Sequence, residues 1–178
     1  MAELEIAQDW SGLTGFAEER IRREPTNYDW VVVAGYAWLR RGDNAKAGDA
    51  FLLVTQRSPE DIDAWNMLGE TQRLSGQPGR AAQTLERAAT IDRTSSITYF
   101  LLGEAYRDAA RLERATAAYR ESLRREPQYA PAWFGLGTVY ARTGPREELQ
   151  AVMEQLQKLD PGLAEQLARI RSRNTSGR

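Results

Sequence analysis

The chain has 178 residues and a net charge of −1, with no cysteine and no histidine. Near-neutral charge argues against a general nucleic-acid binder, and the two missing residue types remove disulfides, thiolate nucleophiles, the commonest metal ligand and the usual general base. No apolar run approaches the ~20 residues that span a bilayer, and Met1-Ala-Glu-Leu-Glu-Ile lacks the basic-then-apolar order of a secretory signal, so no membrane insertion and a cytoplasmic chain are expected. A mature periplasmic form, or a domain excised from a longer chain, would read the same way.

In chain order, Leu4 and Ile6, before Asp9-Trp10-Ser11-Gly12, suggest a shortened first helix. Leu13, Phe16, Ala17 and Ile21 then share one helical face, with Arg20, Arg22 and Arg23 outside it, in a helix ending before Pro25. Residues 1–27 read as a truncated or divergent repeat.

From residue 28 the chain becomes periodic. Glycine recurs at Gly35, Gly69, Gly103 and Gly137, every 34 residues, and proline keeps the same phase at Pro25, Pro59, Pro127 and Pro161, with Arg93 in the missing slot. A fixed spacing through four copies means one repeated structural element, here over 28–61, 62–95, 96–129 and 130–163. With glycine at the eighth place, the fourth holds Val31, Trp65, Tyr99 and Trp133; the eleventh holds Trp38, Gln72, Tyr106 and Tyr140. After Gly42, Gly76, Ala110 and Gly144 a second apolar series begins, with Ala47, Ala81, Ala115 and Leu149 at the twentieth place and Phe51, Leu85, Tyr119 and Met153 at the twenty-fourth. Steps of three and four mark one helical face, so each repeat reads as two amphipathic helices joined by a glycine turn. Glycine inside a helix costs about 1 kcal/mol against alanine. Four such costs imply that the two helices approach where a side chain would hold them apart.

Trp30 occupies the third place, where later repeats have Ala64, Thr98 and Ala132. Its ring either covers the shorter repeat in front of it or joins Trp10 in an exposed patch through which the chain oligomerises. At the other end, Asp160-Pro161 is a helix start, aspartate as N-cap and proline in the first turn. Leu163, Leu167 and Ile170 share a face, and Arg171 stands where a following helix would demand glycine. A capping helix is expected over 164–172 and a frayed, basic tail over 173–178.

Tyr99-Phe-Leu-Leu-Gly-Glu-Ala-Tyr106 and Trp133-Phe-Gly-Leu-Gly-Thr-Val-Tyr140 carry the pattern best. It resembles the tetratricopeptide repeat, a 34-residue helix–turn–helix with an aromatic, Leu-Gly, aromatic, Ala, aromatic and Pro signature. Gln72, Arg93 and Ala110 depart from it. The resemblance covers about residues 28–161 and implies an all-α fold, a right-handed α-solenoid forming a single domain. It also implies a non-catalytic scaffold needing no cofactor, of the kind that assists complex assembly in bacteria.

In that family ligands usually lie in a concave groove lined by first helices. Mapped here, the groove offers Val32, Tyr36 and Arg40; Asn66, Glu70 and Arg73; Phe100, Glu104 and Arg107; and Phe134, Thr138 and Arg142. Arg40, Arg73, Arg107 and Arg142 would form a row able to pair with carboxylates, beside apolar anchors at Val32, Tyr36, Phe100 and Phe134. Such a row suits a peptide or helix of another protein, an acidic one in particular. Alternatively, Asp29, Asp63, Glu70, Glu104 and Asp108 neutralise the arginines within the groove. The lysine and asparagine clamp of chaperone-binding relatives is absent, since its places hold Val32, Tyr36, Met67, Ile97 and Leu101. Paired carboxylates such as Glu70 and Glu104 could do acid–base work, yet no nucleophile–base constellation, phosphate loop or metal spacing accompanies them. The leading expectation is an adaptor that holds a partner protein. Its rival is a self-assembling structural protein joined through its terminal repeats.

Overall fold

The computed structural model describes residues 9–144 and 146–176. Among them it forms ten helices and no strand: α1 Trp10–Arg23, α2 Asp29–Arg40, α3 Asn44–Arg57, α4 Ile62–Leu74, α5 Pro78–Ile91, α6 Ser96–Asp108, α7 Leu112–Arg125, α8 Ala130–Thr143, α9 Arg146–Leu159 and α10 Pro161–Ser176. A single domain is the expectation from sequence; the contacts instead divide the chain into two compact units, Met1–Ile91 and Asp92–Arg178. Helical repeats pack only on near neighbours, so no single core gathers them.

In the first unit each of α1 to α4 packs on the helix that follows it. Aspartate starts three of the helices by accepting a backbone N–H three residues on: Asp9 from Gly12, Asp43 from Lys46 and Asp61 from Ala64. Such caps satisfy one orphan donor and are worth about 1 kcal/mol each. The core holds Ala17, Ala34, Ala37, Ala47, Ala81 and Leu85, all without solvent exposure. Gly69 shows why the repeat needs glycine. A Cβ there would lie 2.5 Å from Cγ of Leu85, in the second helix of the same repeat. Gly35 meets Phe51 in the same way, at 3.0 Å. The contact runs between the eighth and twenty-fourth places of one repeat, which is the close approach that the glycine spacing implies.

Two departures from the family pattern have local explanations. Gln72 stands where an aromatic ring is usual; its side-chain oxygen accepts a 2.7 Å hydrogen bond from the Thr84 hydroxyl. Position 84 is alanine or valine in the other repeats, so the two polar residues satisfy one another across α4 and α5. At the N-terminal end α1 begins at Trp10, capped by Asp9, so Asp9 to Gly12 is the start of that helix. Leu4 and Ile6 lie outside the described residues.

In the second unit, Tyr119 of α7 is fully buried. It fills the space left by two glycines: a Cβ at Gly103 would lie 2.6 Å from its ring, and one at Gly135 would lie 2.5 Å from it. Ala110 takes the turn position with φ +57°, where Gly42, Gly76 and Gly144 adopt the same left-handed region. Alanine pays a steric cost there that glycine does not. Arg93, in the slot of the missing proline, offers its carbonyl to Nε of Arg125 at 2.6 Å, and the same guanidinium stacks 3.9 Å over Tyr99.

The last helix packs on α8 and α9. Its N-cap is Asp160, which accepts from the Leu163 N–H at 3.0 Å. Leu167 is fully buried, and its Cδ2 stands 2.4 Å from the Cβ position at Gly137. The helix runs through Ser176, beyond the 164–172 bounds set from sequence, so residues 173–176 are helical where a frayed tail was expected.

Candidate partner-binding surface

The sequence places the candidate residues on first helices: α2 and α4 in the first unit, α6 and α8 in the second. Each unit presents them differently.

In the first unit, Val32 is partly buried against the cluster of Val31, Ala50, Val54 and Ala64. Tyr36 is 42% exposed, its ring edge-on to Phe51 at 5.2 Å. Burial, then the charges of Asp63 and Asp61, push its phenol above the usual range, so it remains a neutral donor. Asn66 is 3% exposed. A ligand reaching it would have to displace core atoms, so it drops out of the groove set. Glu70 and Arg73 form a two-bond ion pair, at 2.8 and 2.7 Å. Arg40 stands 5.0 Å over the ring of Trp10.

The two tryptophans weighed as an oligomer surface both have partners within this unit. Trp30 meets Phe16 edge-on at 5.6 Å, lies under the Arg20 guanidinium at 5.0 Å, and donates its indole N–H to Glu24 at 3.0 Å. Trp30 therefore packs on α1, and the Arg40 guanidinium lies over Trp10.

In the second unit, α6 and α8 lie side by side. Phe100 is partly buried, edge-on to Tyr129 at 5.4 Å and tilted on Tyr119 at 6.3 Å. Glu104 is the centre of a network. It accepts from the Tyr119 hydroxyl at 2.5 Å and from both terminal nitrogens of Arg107, at 2.8 and 2.7 Å. Arg107 also reaches Asp108 at 3.1 Å. Burial on its own would lower the Arg107 pKa; Tyr119, Glu104 and Asp108 outweigh it and raise the value. Burial, then the Glu104 charge, pushes the Tyr119 phenol far up. Arg107 and Tyr119 therefore both keep their protons at any ordinary pH. Thr138 turns its hydroxyl back onto the Gly135 carbonyl at 2.7 Å. Phe134 is half-buried, and Arg142 is exposed with no acceptor among the described residues.

The expected arginine row thus splits. Arg73 and Arg107 are occupied by carboxylates three residues earlier on their own helices, Arg40 by a tryptophan ring, and Arg142 alone stands open. Glu70–Arg73 and Glu104–Arg107 keep only about a fifth or less of their side-chain surface exposed. Breaking either pair for a ligand would strand a partly desolvated charge, which is expensive. What stays accessible is mainly apolar: Tyr36 and Leu74 in the first unit, at 42% and 44% exposed, and Ile97 in the second, at 49%, beside the half-buried Phe100 and Phe134. The sequence reading missed Tyr129 as the partner of Phe100. The signal lay in its place between Pro127 and Pro131, at the entry to α8.

Glu104 already receives three donors, and no group of histidine, cysteine, aspartate or glutamate among the described residues could hold a metal ion. No helix among the described residues is long and apolar enough to cross a membrane.

Among the described residues, ten helices paired in tandem, with glycines at the pair contacts, define a helical-repeat protein. Family profiles described as tetratricopeptide repeat match residues 62–95 and 100–163, and the chain belongs to the tetratricopeptide repeat family. Among curated relatives, it is 26% identical over 152 residues to the general transcriptional corepressor trfA of Dictyostelium discoideum. That alignment covers 84% of this chain and 10% of the corepressor, so the chain spans about a tenth of that relative's length. Among solved structures, MamA superposes with a TM-score of 0.79 at 18% identity, over 92% of this chain and 95% of that one. YrrB, described as a TPR protein with an unusual peptide-binding site, gives 0.72 at 19% identity, over 94% and 88%. At these identities the superpositions establish the fold.

Proposed function

We propose that the chain is a non-catalytic adaptor that holds a peptide or helix of a partner protein against its first helices, chiefly α6 and α8. The observation that carries this reading is that two adjacent helices, α6 and α8, present half-buried Phe100 and Phe134 together with the exposed guanidinium of Arg142. Aromatic anchors with a charge at their edge are the usual makings of a binding hot spot. Tandem repeats of this family serve as interaction modules, and the peptide-binding site described for YrrB supports the same use of the fold. An acidic residue in the ligand would pair with Arg142, while Arg73 and Arg107 stay with their own carboxylates.

The test is a partner captured from the native cell, purified, and titrated against the full chain by calorimetry. Phe134→Ala with Arg142→Ala should weaken binding by at least about tenfold, roughly the loss of an anchor and a charge-assisted hydrogen bond. Unchanged affinity would remove this surface from the account.

A further inference from the structure

The second unit carries a separate cleft on the side of its second helices, between α7 and α9, of about 380 Å³. That is in the lower part of the range for ligand pockets, about 300–1,000 Å³. Leu123, Leu136 and Val152 form an apolar floor, Trp133 a wall, and Tyr140 and Arg120 an edge. The floor residues are each 8% exposed or less. None of the first-helix candidates, Phe100, Phe134 or Arg142, lines it.

The charges around this cleft are unequal. On the α7 side, Arg124 is occupied by Glu121 through bonds of 2.9 and 3.1 Å. Arg120 is not occupied. One terminal nitrogen donates to the Tyr140 hydroxyl at 2.8 Å, and no carboxylate among the described residues pairs with it. The phenol holds the guanidinium at the cleft's edge and leaves most of its donors free, so a ligand need not order the side chain afresh. On the α9 side stands Glu148. An acidic group is therefore welcome on one side of the cleft and repelled on the other.

We propose that this cleft binds an acidic–aliphatic segment of a partner protein, with one leucine-sized side chain on the floor and a neighbouring carboxylate paired with Arg120. The apolar floor supplies most of the affinity and the Arg120 pairing fixes direction. This second docking site is independent of the first-helix surface, so one chain can hold two segments at once.

The experiment titrates the full chain with a fluorescein-labelled peptide of core Glu-Leu-Leu-Asp, and with a counterpart in which lysine replaces both acids. Binding is read by anisotropy and by the Trp133 indole N–H resonance, assigned with Trp133→Phe. The acidic peptide should shift that resonance and the lysine peptide should not. Arg120→Gln should weaken the acidic peptide about tenfold, the usual scale for one charge-assisted pair. Ala151→Trp, which fills the cleft from an exposed lining position, should abolish binding while leaving the helical circular dichroism unchanged. Phe134→Ala with Arg142→Ala should leave it as it was. Equal binding of the lysine peptide, an unmoved Trp133 resonance, or full affinity in Arg120→Gln overturns the proposal. A loss in the Phe134 and Arg142 variant, with none in Arg120→Gln, also overturns it and assigns the peptide to the first-helix surface. Concentration-dependent self-association that Arg120→Gln removes would replace the partner with a second copy of this chain.

Discussion

The hydroxyl of Tyr119 lies 2.5 Å from Oε1 of Glu104, and the tyrosine ring fills the space that Gly103 and Gly135 leave open. Packing and hydrogen bonding at this point therefore depend on one side chain. Tyr119→Phe keeps the ring and removes the donor. Glu104 retains both bonds from Arg107, so the loss should be near that of one buried hydrogen bond, about 1 kcal/mol, read as a lower urea midpoint.

The two sides of the ring can be tested separately. Gly103→Ala and Gly135→Ala each place a methyl group within 2.6 Å of a fully buried ring that cannot turn away. Overpacking of this kind costs about 1–3 kcal/mol. Gly15→Ala is the control: it lies within α1 with nothing within 4 Å of the added carbon. There the helix preference for alanine should raise stability by up to about 1 kcal/mol.

Ala110 is the described non-glycine residue with a positive φ. Ala110→Gly relieves a left-handed strain of about 1–2 kcal/mol and loosens the unfolded chain by about 0.4–1 kcal/mol. The net expectation is a gain of about 0.5–1 kcal/mol in thermal or urea unfolding. A loss would mean that the methyl group makes a contact worth more than the strain.

Glu121 gives a pH dependence of known sign. Hydrogen bonds from Arg124 and then Arg125 lower its carboxyl from 4.5 to about 2. A depressed acid stabilises the fold above its unfolded pKa, and that contribution drains away as pH falls from about 5 towards 2. The side chain is 36% exposed, so solvent screening keeps the contribution within about 1 kcal/mol. Urea midpoints of the parent chain and Glu121→Gln should differ at pH 7 and converge near pH 2. A gap that stays constant across that window would discount the ion pairs.

The repeat was legible in the sequence because its cause is steric and periodic. A glycine every 34 residues can be read without coordinates, and the structure sets Gly35, Gly69 and Gly103 against the twenty-fourth place of their own repeats. Gly137 differs: it meets Leu167 of α10 as well as Val152 of α9, and Met153 does not take the twenty-fourth-place role. The surface was less legible. The spacing of Glu70 to Arg73 and Glu104 to Arg107 allows an internal pair as readily as a pair of ligand contacts; only rotamers and burial decide between them. Asn66 sat on the right stripe and still turned inward, because the stripe beside the core is wide enough to include buried positions. The cleft beside Arg120 left no mark of its own, since Trp133, Leu136 and Tyr140 are signature positions that pattern alone assigns to the core.

Arg125 joins Arg93 by one hydrogen bond across 32 positions of sequence, and Glu126 takes a second from Ser96 at 2.7 Å. At the other repeat boundaries a proline ring stiffens the backbone as soon as the chain is made, with no help from distant residues. The start of α6 has no such ring and is held by a helix synthesised later. Its amides should gain protection from solvent exchange only when α7 is in place, which couples the order of this boundary to the completion of the hairpin that follows it.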